Sequence, residues 1–255
     1  MENYCKGVAA AAVLSMAVAA PASAAPISAF VSNQYTEAQL GLAKADAATW
    51  FASVNATAIA FEDFEGQRFT DGQTGMSFNT NVGTFKGVTA GQSTGLNGLA
   101  VLTQATRPSA FDGRFNVTDG GSRWLDSNDY KVVDWDVKTS GSLPFTHIGF
   151  FMTDVNDVNA KLKLLETGEE FELDLDMPLL TPGTGGSNEN GRVFFVGLTI
   201  PTEVTLLGLR FTQATSNDGW GIDDITIARV PEPATLGLLG AGLFAVGVMA
   251  RRRKA

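Results

Sequence analysis

Apolar and polar positions along this 255-residue chain change their period once the first fifty residues are passed. Between Thr36 and Ser53, Leu40, Ala43, Ala47 and Phe51 recur at helical spacing, and Thr36 with Gln39 three residues on has the form of a capping box. This predicts a helix over Glu37 to Ser53. From Ala58 onward the period is two, the repeat of a strand with one face buried. Strands are expected at Ala58 to Phe64, Gly83 to Gly87, Leu99 to Thr103, Ala110 to Asn116, Val132 to Val137, His147 to Thr153, Lys161 to Glu166, Glu169 to Asp176, Val193 to Gly197, Glu203 to Thr212 and Gly221 to Arg229. Asp71-Gly72, Asp119-Gly120-Gly121 and Asp218-Gly219 are turn signals between them. Glu203 to Thr212 is apolar on both faces, as a central strand would be. Many short strands with one helix predict an all-β fold: an antiparallel β-sandwich, jelly-roll-like, with one short N-terminal helix.

Both ends of the chain depart from this pattern. Lys6 precedes the apolar stretch Gly7 to Ala20, and Ala22-Ser23-Ala24 supplies the small residues that signal peptidase requires, so residues 1–24 read as a signal peptide cleaved after Ala24. At the other end Pro231-Glu232-Pro233 precedes the uncharged run Ala234 to Ala250, which Arg251-Arg252-Arg253-Lys254 closes. As a helix that run would measure roughly 25 Å against a hydrocarbon core of ~30 Å, enough to span with modest thinning. The terminal cations resist translocation and leave residues before Val230 outside. The expected organisation is therefore 1–24 signal peptide, 25–57 N-terminal helical segment, 58–229 β-sandwich and 230–255 sorting signal with a transmembrane helix.

The order of these C-terminal parts resembles the PEP-CTERM sorting signal of Gram-negative bacteria. The resemblance implies that Pro231, Glu232 and Pro233 are recognised by exosortase, an integral-membrane processing enzyme, and that the helix is a temporary membrane anchor. It also implies an association with exopolysaccharide and biofilm. An ordinary tail anchor is the alternative, and Gly237, Ala241 and Ala245 at four-residue spacing would suit a helix dimer.

Composition narrows the chemistry. The single cysteine, Cys5, leaves with the signal peptide, which excludes disulfides, thiol nucleophiles and cysteine-bound zinc from the exported body. Of 18 basic and 27 acidic residues, the terminal segments take Lys6, four C-terminal cations, Glu2 and Glu232, so the body carries a net charge of about −12. Such a surface repels nucleic acid and suits divalent cations or neutral sugars.

Three constellations could carry chemistry. Gly91-Gln92-Ser93-Thr94-Gly95, followed by Asp126, Asp129 and His147, matches a hydrolase nucleophile elbow in letters only, because Ser93 lies in a glycine-rich stretch between strands. Glu172, Asp174 and Asp176 share one strand face at roughly 6.6 Å intervals, near the spacing of glycosidase carboxylates. This resembles the Glu-x-Asp-x-Glu strand of lectin-like jelly-roll glucanases, with Asp176 replacing the final glutamate; a solvated acidic face is the competing reading. Asp154-Val155-Asn156-Asp157-Val158-Asn159 offers oxygen ligands, or simply an Asx-rich turn.

Gly219 to Ile227 is also similar to the last strand of galactose-binding-like carbohydrate-binding jelly rolls, which implies Ca²⁺ held between the chain ends. Alternation places Asp223 on the face of Ile225 and Ile227, and Asp63 and Glu65 on that of Ile59 and Phe61, both pointing inward. Buried carboxylates require a cation, backbone N–H donors or a raised pKa. Asp63, Glu65 and Asp223 are thus the candidate metal ligands, with a salt bridge to Arg68 or Arg229, or a bulge turning the acids to solvent, as alternatives. The whole reads as an exported surface or matrix protein whose body is non-catalytic, with signal peptidase and exosortase as processing partners. The body is a carbohydrate-binding or structural sandwich; the alternative is a secreted glycoside hydrolase using Glu172 and Asp174.

Overall fold

The computed structural model describes residues 27–91, 98–108, 113–128, 130–139, 141, 143–155, 160–166, 171–174, 191–201, 206–214 and 218–231. Ala22 and Ala24, Ser93, Asp129, Asp157, Asp176, Glu232, Pro233 and the apolar run Ala234 to Ala250 lie outside the described residues. The fold is all-β, built from two antiparallel sheets.

In chain order the strands are β1 (Ser28–Val31), β2 (Tyr35–Thr36), β3 (Thr57–Glu62), β4 (Gln73–Gly75), β5 (Ser77–Thr80), β6 (Gly83–Thr89), β7 (Leu99–Thr103) and β8 (Arg123–Asp126). They continue with β9 (Val132–Val137), β10 (His147–Thr153), β11 (Lys161–Glu166), β12 (Phe171–Asp174), β13 (Arg192–Thr199), β14 (Leu206–Thr212) and β15 (Gly221–Arg229). The large sheet runs β1-β13-β10-β15-β8-β7-β4, with β2 also on β13 and β3 also on β15; the small sheet runs β12-β11-β14-β9-β6-β5. β14 is central, as its two apolar faces predict. Residues 113–116, expected in a strand, are an irregular loop, and residues 25–57 contribute β1 and β2 to the large sheet as well as a helix.

Between the sheets lies one aromatic-rich core. Phe85 stacks on Trp135 at 5.0 Å, Trp135 meets Phe150 edge-on at 6.1 Å, and Phe150 meets Phe211 at 5.9 Å, so rings from both sheets interlock. Ile222, Ile225 and Ile227 of β15 close this layer. Such edge and offset contacts each add about 0.5–1.5 kcal/mol beyond area burial.

Helix α1 (Leu40–Ser53) follows a short 3-10 turn and covers the outer face of the large sheet. Gln39 Oε1 accepts from Thr36 N at 3.2 Å, the back-bond of the expected capping box. Ala43, Ala47 and Trp50 are buried against Phe151, Val193 and Phe195. β10 and β13 are therefore covered on both faces, which is why they read as continuous apolar runs rather than alternating ones. Two glycines set the helix's approach: a Cβ on Gly197 would lie 2.5 Å from the Trp50 ring, and one on Gly149 would lie 2.6 Å from Phe51. Only glycine lets the helix settle this close.

Register gives the large sheet two distinct ends. Ser28 opposes Thr199, Thr199 opposes His147, His147 opposes Ala228, and Arg229 opposes Thr57. The described chain thus begins and ends at one end of the sheet, here termed the exit end. At the other end β10 runs out into Asp154, β13 starts at Arg192, and Gly221 of β15 opposes Asp126 of β8.

Candidate functional site

Asp223 sits where β15 changes neighbours. On one edge β15 pairs with β8 through Gly221 and Ile222, then with β3 from Ile225 onward. Asp224 between them adopts φ 46°, and the pairing with β10 shifts register opposite it. This is a β-bulge, and one extra residue reverses the facing of everything beyond it. Ile222 and Ile225 consequently share the core although three residues apart, while Asp223, paired with Phe151, faces the helix side. The alternation that placed Asp223 beside Ile225 and Ile227 is overturned by this bulge.

The carboxylate of Asp223, 1 % exposed, is met by backbone donors. Oδ2 accepts from Val117 N at 2.7 Å and Thr118 N at 3.3 Å, and Oδ1 accepts from Asp224 N at 2.8 Å. Burial, followed by the adjacent charge of Asp224, still pushes its pKa well above the usual carboxylate range, against the pull of those amides. Asp224 is raised in its turn, chiefly by burial, while its Oδ1 accepts from Thr118 Oγ1 at 2.5 Å.

Nor do Asp63 and Glu65 point inward. In β3 and its extension Phe61 is 45 % exposed whereas Glu62 is 1 % exposed, so the inward face is that of Ala60, Glu62 and Phe64, the reverse of the expected one. Glu62 accepts from Phe64 N at 3.0 Å and from Asn81 N at 2.7 Å. Asp63 accepts from Glu65 N at 3.0 Å, and Glu65 Oε1 accepts from Arg123 N at 2.6 Å and from Ser122 N. Among the described residues no group of three His, Cys, Asp or Glu side chains is placed to hold a metal ion.

A second acidic group, not foreseen from sequence, surrounds Arg114. This guanidinium, 1 % exposed, donates from Nη1 to Asp126 at 3.0 Å and from Nη2 to Asp218 at 2.5 Å, with Nε 3.5 Å from Asp154. Asp126 also accepts from Trp124 Nε1 at 3.1 Å and Asn128 N at 2.9 Å, and Asp154 accepts from Gly191 N at 3.0 Å. Burial would lower the Arg114 pKa, but the charges of Asp126, Asp218 and Asp154 outweigh it and raise it. The guanidinium ties the loop before β8, the end of β10 and the approach to β15 into one polar knot.

Of the hydrolase candidates, His147 and Asp126 stay apart. His147 opens β10 at the exit end, 4 % exposed, its ring edge-on to Trp50 at 5.7 Å and its Nδ1 2.8 Å from Thr146 Oγ1. Burial lowers its pKa. Asp126 lies at the level of Gly221 and Thr153, about 20 Å away along the strand. On β12 the register places Glu172 opposite Lys163 and Asp174 opposite Lys161.

An open cleft of about 560 Å³ lies between β3 and the small sheet, lined by Ile59, Phe61, Asn79, Asn81, Thr84 and Lys138 among others. Phe61 offers an exposed ring. Beside it Thr84 Oγ1 donates to Asn79 Oδ1 at 2.9 Å, and Arg68 donates to Asn81 Oδ1. Lys138 is bridged to Asp136 at 2.6 Å. The cleft escaped sequence analysis because Phe61 was expected inside.

At the exit end β15 stops at Arg229. Thr146 N donates to Ala228 O at 3.1 Å, Val230 N donates to Thr146 Oγ1 at 3.3 Å, and Pro231 is exposed. A family model, the PEP-CTERM protein-sorting motif, matches residues 229–254. The chain carries a PEP-CTERM sorting motif. It is accordingly an exported protein processed by exosortase, transiently anchored and destined for the cell surface. No curated protein matches the chain. The PEP-CTERM match begins on the last residue of β15, so sorting signal and folded body share Arg229. Among the described residues no helix is long and apolar enough to cross a membrane.

Proposed function

We propose that the exported body is a non-catalytic module that binds neutral carbohydrate of the extracellular matrix in the Phe61 cleft, and that it accompanies exopolysaccharide in biofilm. The observation that carries this reading is an exposed aromatic ring, beside Ile59 and Ala60, in a cleft whose polar lining is amides, hydroxyls and one paired lysine. A sugar ring stacks its C–H face on an aromatic side chain while its hydroxyls exchange hydrogen bonds with amides, which both donate and accept. The net negative charge of the body favours neutral over anionic glycans. Glycoside hydrolysis requires two carboxyl groups flanking the bond, and none lines this cleft.

A glycan array probed with the exported protein, run beside a reducing-sugar release assay, tests the proposal. Binding without turnover, weakened about two- to tenfold by Phe61→Ala, is expected, since losing one stacked ring is worth about 0.5–1.5 kcal/mol. Turnover abolished by Glu172→Gln would establish the hydrolase instead.

A further inference from the structure

We infer that the exit end of the large sheet, formed by the start of β1, the end of β13, the loop into β10, the start of β3 and the end of β15, is a lipid-facing surface that rests on the bilayer headgroups while the precursor is anchored. The inference rests on the anchored state that the sorting motif implies, and goes beyond it by fixing which end of the body meets the membrane.

Tether length carries the argument. Val230 is held by Thr146, and the apolar run starts at Ala234, so four residue steps separate a rigid strand end from the hydrocarbon. Even fully extended, four steps reach at most about 14 Å. The headgroup layer alone accounts for roughly 5–7 Å on each side of the bilayer. A body of some 200 residues is about 40 Å across, so its remaining leash is far shorter than its radius and it cannot turn its other end to the membrane.

The amino-terminal side agrees. Ser28 lies three strand spacings from Ala228, about 14 Å, so the segment leading back to the signal peptide leaves from the same end. Leu143 and Val230, 43 % and 41 % exposed, form apolar points on this rim, and Arg229 is exposed beside them. Glu37, exposed just past Thr36 where β2 meets the start of β13, lies at the opposite end, away from an anionic leaflet.

Because Cys5 is the only cysteine in the chain, Cys5→Ser gives a background in which one introduced cysteine reports position cleanly. Leu143→Cys and Ala38→Cys, the latter exposed near the far end, would each be introduced into full-length precursor retained by Glu232→Ala. Each is labelled with a fluorophore and reconstituted in phosphatidylcholine/phosphatidylglycerol vesicles carrying a headgroup quencher. The label at 143 should lose most of its emission and the label at 38 little. A Gly-Ser spacer of about 20 residues between Val230 and Pro231, spanning roughly 25 Å, should erase the difference. Equal quenching without the spacer overturns the inference, as does shielding at 143 that appears only when exosortase is added. Failure of the precursor to sediment with vesicles would instead overturn the anchored state and this inference with it.

Discussion

Asp126 and Asp223 are buried alike, at 0 % and 1 % exposure, two residue levels apart across neighbouring strands, and the molecule compensates them by different means. Asp126 faces the Arg114 guanidinium as well as an indole N–H and a turn amide. Asp223 faces three amides and, at 3.5 Å, the Thr118 hydroxyl but no cation, and a raised pKa remains. The difference shows that dipoles fill the lone pairs of a buried carboxylate without cancelling its charge, whereas a cation does both. Removing the cation should therefore hurt far more than removing the charge that lacks one.

Arg114→Met tests that directly and should have the largest effect. It leaves Asp126 and Asp154 in the interior without their guanidinium, which breaking a buried pair prices at about 3–5 kcal/mol. Urea unfolding of the exported protein at pH 7 would register the loss. A change under about 1 kcal/mol would mean that water or the turn amides already carry these charges.

Next comes Asp223, where pH is the probe. Its folded pKa lies above the unfolded value of 3.8, so its contribution to stability is fully present below 3.8 and is lost as pH rises through the raised folded value. Asp223→Asn cannot ionise. Wild type should accordingly lose stability relative to the variant between about pH 4 and neutrality, the opposite slope to a salt-bridged aspartate. A difference between the two proteins that stays constant across that range would show that the amides hold Asp223 at an ordinary pKa.

How much of this was legible in sequence depended on distance along the chain. Strands bounded by turn residues and rich in branched or aromatic side chains, such as Val132–Val137, His147–Thr153 and Gly221–Arg229, were readable to the residue, and the helix expected over Glu37 to Ser53 is a 3-10 turn over Glu37–Gln39 followed by α1. β4, β5 and β8 were not, because they are short, and glycine, serine, asparagine or charged residues interrupt their alternation. The inward face of β3 was misread because Phe61 is apolar and exposed, while Glu62 is charged and capped by amides from Phe64 and Asn81. The Asp223 bulge did leave a trace. Ile222 and Ile225 stand three apart, an odd spacing that one face of an unbroken strand cannot accommodate. Arg114 left none, since Asp218 lies 104 residues away and no local period connects them.

Glu62 offers a milder version of the amide-capped case. Each carboxylate oxygen accepts one backbone N–H, and Arg68 Nη1 stands 4.0 Å off at the surface. Glu62→Gln keeps one acceptor and turns the other into a donor facing an amide, so a loss of about 1 kcal/mol is expected in the same urea assay. A loss as large as that of Arg114→Met would place Glu62 among the cation-dependent acids.

The smallest expected effect is that of calcium, and it decides whether the amide-capped acids are complete. Asp223 Oδ2 receives two N–H groups and Oδ1 a third, while Glu65 Oε1 receives the amides of Ser122 and Arg123. A cation bound to these oxygens would have to face the positive ends of those dipoles, since an N–H that donates to an oxygen presents its hydrogen to whatever that oxygen coordinates. Calcium also takes six to eight oxygen ligands, whereas Asp63 turns its own carboxylate back on Glu65 N. Melting curves in millimolar Ca²⁺ and in chelator should therefore coincide. A rise in Tm with Ca²⁺ that Asp223→Ala abolishes would show that the amides yield to a cation, and that the two ways of holding a buried aspartate in this molecule are one.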